Sequence, residues 1–560
     1  MAKKKVKIRD LTLRDGQQSL FATRMPISQI RQIVPILKNS GFYAAEVWGG
    51  AVPDSCMRYL DENPWERLRE IAELAEKKIH LTALSRGRNL FGYNPYPDHV
   101  IKDFVTKAIE NGVTILRIFD ALNDVNNLKT TIEATKEAGG LADVAFSYTT
   151  DPIMKKKNGN GYKRSKLAPV FTVDYWVKFA KEVEKLGADL ITIKDMAGLL
   201  RPDVAAELIP ALKDAVSIPI DFHTHCTPGY ALTSAVVCMM KGVDIIDTAM
   251  FSFSSGSAAP SIDMLQLFAD HLDIDLGVKR NEIVKAEKLL RGFRLDLREQ
   301  GFDSYLDFPE KFPDVTGVMS DLVAEAVDFI MQDKFELALS SVHKLEALVG
   351  LPLPNIAVRD AQIPGGMYTN MLNQLKEVKL EYALKDVLAE VPIVRLDSGL
   401  PPLVTPTSQI VGVQAVQNVK DMFCNKPRYC DTTGQFINLV KGLYGNTPVE
   451  IDPKFREKIT GSWQKEEFDP STYKPQEIEK IVELDVLVAE NAEEILLVEL
   501  FPMVAKKFLK NRKIRKFEEE LDRKMAAAEK ESEEDFVSMI DGLSGNYMTE
   551  ELDFDDKFEQ

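Results

Sequence analysis

The run IPIDFHTHCTPG at residues 218–229 starts as an apolar strand and closes on two histidines, His223 and His225, placed two positions apart. A β-strand aims alternate side chains to one side, so an i, i+2 pair of imidazoles at a strand end converges and offers two nitrogen ligands to a metal ion. Toward the N terminus the same pattern recurs. DLITIKD (189–195) closes on Lys194 and Asp195, ADVAFSYT (142–149) on Tyr148, and VTILRIFD (113–120) on Asp120. IHLTALS (79–85) is followed by Arg86, YAAEVWG (43–49) carries Glu46, and VKIRDLTL (6–13) is followed by Asp15. VDIIDTAM (243–250) completes the series on the C-terminal side. Between the runs, stretches such as ISQIRQIVPILKNSG, PWERLREIAELAEKK and VDYWVKFAKEVEKLG space apolar residues for one helix face, often with a glycine near the end.

Eight strand-helix units in residues 1–280 predict an α/β fold, a TIM (β/α)8 barrel. An open doubly wound sheet is the competitor, but it calls for a GxGxxG loop after an early strand, and the sequence has none. A barrel gathers functional groups at the C-terminal ends of its strands, where the polar residues named above fall. Beyond 280 the periodicity becomes helical, most clearly in AVDFIMQDKFELALSSVHKLEALVG (326–350). The expected organisation is a barrel over 1–280, a mainly helical domain over 281–510 packed on it, and an acidic tail over 511–560.

The tail holds 16 Asp/Glu against 8 Lys/Arg, half of the net charge of −16, which leaves the body only mildly acidic. That balance argues against nucleic-acid binding, which needs a basic stripe. The tail itself reads as a solvated helix with a flexible end, or as a partner-docking segment. Five cysteines with no CxxC pair suit a reducing compartment, so a cytoplasmic location is expected. The start, MAKKKVKIRD, does not read as a signal peptide, and no apolar run is long enough to span a bilayer. The basic, Gly/Asn-rich segment DPIMKKKNGNGYKRSKLAPVF (151–171) reads as a surface loop after strand five, or as a lid over an anionic substrate.

His223, His225 and Asp15 together suit Zn²⁺, Mn²⁺ or Co²⁺ with a position left open for substrate. The competing readings are a structural histidine pair and a helix-capping aspartate. Lys194 would repel a cation if protonated. It either pairs with a carboxylate, the reading favoured by charge alone, or is carbamylated by CO₂ into an anionic ligand.

LTLRDGQQSLFATRM (11–25), AEVWGGAVPDSCMRYLDENPWERLR (45–69), SRGRNLFGY (85–93), RIFDALND (117–124), IKDMAGLL (193–200), FHTHCTPG (222–229), IPGGMYTNM (363–371) and PPLVTPTSQIVG (401–412) occur in that order. Together they resemble the carboxyltransferase domain shared by pyruvate carboxylase, the oxaloacetate decarboxylase α subunit and the transcarboxylase 5S subunit. The resemblance implies a metal held by Asp15, His223, His225 and a carbamylated Lys194. It implies Arg86 and Gln18 at the keto-acid pocket, Thr369 passing a proton between biotin and the substrate methyl group, and Asp54 and Tyr93 with Thr369 at the biotin pocket. Without it, Arg86 reads as a loop salt bridge and Thr369 as a helix cap. The expected reaction moves CO₂ between carboxybiotin and pyruvate or oxaloacetate.

The chain departs from the family at Gly16 and Gln17, where relatives commonly read RDAHQ, and at SSGSAAPS (254–261). It shows no MKM biotinylation motif and no ATP-grasp signature, so biotin is expected on a separate biotin carboxyl carrier protein. A homodimer or higher oligomer within a multisubunit complex is expected. The alternatives are an acyl-CoA condensing or cleaving enzyme of the isopropylmalate synthase and hydroxymethylglutaryl-CoA lyase kind, which shares RDGxQ and HxH, and a non-catalytic scaffold subunit.

Overall fold

In the computed structural model the described residues are 3–545, apart from Tyr93, 156–161, 165–167 and Ser304. Eight parallel strands close into a barrel in chain order: β1 (Lys7–Asp10), β2 (Ala44–Gly49), β3 (His80–Ser85), β4 (Ile115–Phe119), β5 (Leu141–Ser147), β6 (Leu190–Asp195), β7 (Ile220–Thr224) and β8 (Ile245–Thr248). After each strand comes a helix: α1 (Ile27–Leu37), α2 (Pro64–Ala75), α3 (Asp98–Glu110), α4 (Lys129–Glu137), α5 (Val173–Lys185), α6 (Pro202–Ala215), α7 (Ala231–Lys241) and α8 (Ile262–His271). Seven of the expected runs contain one of these strands whole, and β5 begins one residue ahead of its run.

Local chemistry sets the helix starts. Asn63 accepts hydrogen bonds from the Trp65 and Glu66 amides ahead of Pro64 at the first turn of α2, and the Thr172 hydroxyl accepts from the Tyr175 amide at α5. α5 then buries Trp176, Phe179, Ala180 and Val183, one face at helical spacing. Where β2 meets β3 the register shifts between Glu46 and Trp48. Gly49, at φ +93°, lies so near β3 that a Cβ there would stand 2.2 Å from the Leu84 carbonyl oxygen. That close approach admits only glycine.

The barrel interior is not uniformly apolar. Arg9, Arg117, Asp143, Asp221 and Asp247 meet inside it, all fully buried. Arg9 reaches Asp143 at 2.5 Å and Asp221 at 3.1 Å, while Arg117 reaches Asp143 at 3.0 Å, Asp221 at 2.7 Å and Asp247 at 2.5 Å. Burial, reinforced by Asp247, raises the Asp221 carboxyl, whereas the two guanidinium groups hold Asp143 and Asp247 low against the opposing effect of burial. Such a buried layer holds together because each charge faces an opposite one.

Downstream helices include α9 (Arg280–Glu299), α10 (Gly317–Met331), α11 (Phe335–Val349), α12 (Gly365–Glu377), α13 (Leu384–Asp397) and α14 (Thr407–Phe423). Met367, Met371, Val387, Val391, Ile410 and Val411 form a second core that also takes in Leu122, from the loop after β4. The guanidinium of Arg395 donates to the Thr149 hydroxyl, the Thr150 carbonyl and the Pro401 carbonyl, and Gln362 donates to the Thr150 hydroxyl at 2.6 Å. These ties explain why no boundary falls at 280: the compact units are Met1–Pro475 and Gln476–Gln560. The second unit holds a small hairpin (Lys480–Ile481 with Val486–Leu487), a helix (Ala492–Leu500) and α15 (Pro502–Gly545), so one continuous helix runs through the boundary expected at 510. Of the basic segment after β5, Ile153–Lys155 pairs antiparallel with Tyr162–Arg164, while residues 156–161 and 165–167 of the expected lid lie outside the described residues. Among the described residues no helix is long and apolar enough to cross a membrane.

Candidate metal centre

β1 ends at Asp10, whose carboxylate accepts hydrogen bonds from the Thr12 hydroxyl at 2.7 Å and the Thr12 amide at 3.2 Å. The chain then makes one wide turn, Thr12–Gly16, closed by the Gly16 amide donating to the Leu11 carbonyl five residues back. Such wide turns occur often at functional sites. This one aims Asp15 inward, and its carboxylate makes no helix-capping hydrogen bond of the kind the competing reading required. β7 supplies His223, the next residues bring His225 to the same side, and β6 supplies Lys194.

Ligand atoms of Asp15, His223 and His225 all lie within 4.8 Å of one another, and all three residues are buried. Asp15 Oδ2 is 3.1 Å from His225 Nε2, and Lys194 Nζ is 3.4 Å from His223 Nε2. His223 Nδ1 is 2.8 Å from Asp247 Oδ2, which directs Nε2 into the cluster. Both oxygens of Asp15 and Nε2 of His225 are buried without a hydrogen-bond partner. Orphaned buried ligand atoms from one carboxylate and one imidazole, with His223 Nε2 in the same cluster, are a donor set that fits a divalent cation. Among the described residues no carboxylate stands within ion-pair distance of Lys194, so the salt-bridge reading of that lysine finds no partner.

Burial would raise the Asp15 carboxyl, but His225 and Arg14, the latter 3.1 Å away, outweigh it and hold the group well below the carboxylate range. Burial and Lys194 push His223 down to about 3, so it is a neutral imidazole able to ligate. Burial, with Arg14, lowers Lys194 to about 8. Arg14 is anchored by Glu46 at 2.5 and 2.9 Å.

The remaining expected residues stand apart from this cluster. Arg86 donates to the carbonyls of Phe91 and Gly92 at 2.8 and 3.0 Å, and it lines a small pocket with Asn89, Asp120, Leu122, Pro406 and Thr407. Gln18 Oε1 accepts from the Ala51 amide at 3.0 Å. A Cβ on Gly50 would touch both Gln18 and Arg14, which places Gln18 one residue's width from the Arg14–Asp15 pair. Asp54 forms a half-exposed ion pair with Arg58 at 2.9 Å. Thr369 is an exposed residue inside α12 and not its cap; its hydroxyl donates to the Gly365 carbonyl at 3.3 Å, while Gly365 itself abuts Thr227, two residues beyond His225. Tyr93 lies outside the described residues.

Sequence reading missed Asp247 and Arg117. The available signal was charge at mid-strand: Asp221 shares a face with His223 on β7, and ILRIF and IIDT each carry a charge within an apolar strand.

A family model described as a conserved carboxylase domain matches residues 358–549, and one described as HMGL-like matches residues 100–290. The chain is 38% identical over 513 residues to a pyruvate carboxylase subunit of Methanocaldococcus jannaschii, covering 90% of this chain and 78% of that one. It is 34% identical over 516 residues to the methylmalonyl-CoA carboxyltransferase 5S subunit of Propionibacterium freudenreichii, covering 91% and 88%. Among solved structures, the carboxyl transferase domain of Rhizobium etli pyruvate carboxylase with pyruvate superposes with a TM-score of 0.72 at 28% identity, covering 90% of this chain and 77% of that one. With such identity sustained along nine-tenths of its length, this chain belongs to the biotin-dependent carboxyltransferase family.

Proposed function

We propose that the chain moves a carboxyl group between carboxybiotin, carried on a separate polypeptide, and pyruvate or oxaloacetate. The observation that supports this most is the buried set of Asp15, His223 and His225 with Lys194 beside it, in a chain of the carboxyltransferase family. A divalent cation held there by Asp15, His223, His225 and a carbamylated Lys194 would supply positive charge against the keto oxygen as the methyl group of pyruvate loses a proton. Carbamylation joins a neutral amine to CO₂ and releases a proton. Lowering of Lys194 to about 8 leaves a usable neutral fraction near neutral pH.

Arg86, its guanidinium oriented by two backbone carbonyls, holds the keto-acid carboxylate, with Gln18 at the same pocket. The Thr369 hydroxyl carries the proton between the biotin ureido nitrogen and the substrate methyl group; its bond to Gly365 is long, and exchanging it for a substrate contact costs little. Asp54 and Tyr93 line the biotin pocket. The chain works as a homo-oligomer with a biotin carrier protein, and its free cysteines suit the cytoplasm.

The test is oxaloacetate decarboxylation by the full chain with free biotin as acceptor. Activity should depend on Zn²⁺, Mn²⁺ or Co²⁺ and fall by at least about a hundredfold in Lys194→Ala. Metal-independent activity, or an unchanged rate in that variant, refutes the reading; consumption of acetyl-CoA with a 2-keto acid would select the acyl-CoA chemistry instead.

A further inference from the structure

The turn bearing Asp15 rests, on its outer side, against a second turn. A Cβ at Gly16 would meet the Phe253 carbonyl oxygen at 2.8 Å, so the bare backbone of Gly16 lies directly against that residue. Phe253 also sets its ring on Phe21 at 4.8 Å between centroids, and the Thr12 hydroxyl accepts from the Met250 amide at 2.9 Å. The three-residue turn Phe251–Phe253 is therefore the backing plate of the Asp15 turn.

That plate is gripped from outside the barrel. On α9, Glu287 accepts from the Ser252 hydroxyl at 2.6 Å and from the Ser252 amide at 3.3 Å, and Arg294 donates to the Ser252 carbonyl at 2.9 Å. Arg294 is itself fixed by Asp303 at 2.8 and 3.0 Å and by the Phe308 ring at 3.8 Å. Ser252 is held at its hydroxyl, amide and carbonyl, which leaves the plate little freedom to slide or rotate. Ser252 donates in both bonds to Glu287, so the grip persists whether that carboxyl is neutral or charged.

We propose that Glu287 and Arg294 are positioning residues for Asp15, acting through the Phe251–Phe253 turn and Gly16 to hold the carboxylate at the distance a metal requires. The inference rests on the proposed ligand role of Asp15. Metal ligands displaced by a fraction of an ångström lose affinity, and outer partners that orient them are commonly worth about tenfold or more.

The experiment is calorimetric titration of the metal-stripped full chain with Mn²⁺ alone, beside thermal unfolding of each variant. Glu287→Ala is expected to weaken Mn²⁺ binding about tenfold, and Glu287→Gln, which retains an acceptor for Ser252, to restore it to within about threefold of wild type. Wild-type affinity in folded Glu287→Ala, or equal losses in the Ala and Gln variants, overturns the proposal. If Glu287→Ala fails to fold, Gly16→Ala probes the same contact from the other side, and unchanged affinity there is equally decisive. Asp15→Ala separates the two claims: undiminished Mn²⁺ binding in that variant removes the metal centre itself and this inference with it, whereas loss in Asp15→Ala without loss in Glu287→Ala removes only the positioning role.

Discussion

Replacing Asp247 with asparagine keeps its shape and removes one charge at the junction between the buried ion layer and the metal centre. Oδ2 of Asp247 serves both His223 Nδ1 at 2.8 Å and Arg117 Nη1 at 2.5 Å. An amide oxygen in the Oδ2 place keeps both bonds but sets the NH₂ against the Arg117 Nη2 donor, which Oδ1 meets at 3.2 Å; turned the other way, the NH₂ faces His223 and favours the tautomer whose lone pair points away from the cluster. Loss of a carboxylate behind a ligating histidine costs about 10–100-fold in metal affinity, or about 1.4–2.7 kcal/mol. The cost to folding should stay below the roughly 3–5 kcal/mol of a broken buried pair, because Arg117 retains Asp143 and Asp221. Asp247→Asn is therefore expected to remain folded, with a lower thermal midpoint, and to bind Mn²⁺ at least about tenfold more weakly by titration calorimetry. A folded Asp247→Asn protein with Mn²⁺ affinity within about twofold of wild type would refute the orientation of His223 by Asp247.

Two further outcomes follow from packing and burial. Gly49→Ala combines a left-handed backbone with a Cβ 2.2 Å from the Leu84 carbonyl, and is expected to destabilise the first compact unit by more than about 3 kcal/mol in denaturant titration; a loss under about 1 kcal/mol contradicts the tight β2–β3 contact. Burial pushes the Glu346 carboxyl up to about 8. An unfolded chain releases that proton near pH 4.3 and the folded chain retains it until about 8, so over that window the folded state binds more protons and this group's contribution to stability falls as pH rises. Glu346→Gln should raise the thermal midpoint by about 2–5 °C at pH 8.5 and change it little at pH 5; equal shifts at both pH values would show that the carboxyl is not held neutral by burial.

The barrel was legible because its signal is periodic. Most of the apolar runs end in polar residues or are followed by them, and a closed parallel barrel buries its strands on both faces, so the runs stand out. The histidine pair was legible for the same reason, since two-residue alternation alone brings the imidazoles together. Less was legible where contact replaces period. Asp247 and Arg117 look like isolated charges in short strands, and their layer with Asp221, Asp143 and Arg9 joins residues as far apart as Arg9 and Asp247. The organisation around residue 280 turns on contact in the same way. A change from alternating to helical periodicity marks a change of architecture, but Arg395, Gln362 and Leu122 bind the helices into the barrel's own compact unit.

By itself the sequence determined the barrel, its eight strands in order, the convergence of Asp15, His223 and His225, and the family resemblance, because each is written in local spacing or in ordered motifs. Only the tertiary structure decided that Lys194 stands beside His223 with no carboxylate to pair with among the described residues, that Asp247 sets the histidine's orientation, and that the Asp15 turn leans on Phe253. Those outcomes depend on which distant side chains share a volume with water excluded, and spacing along the chain carries no record of that.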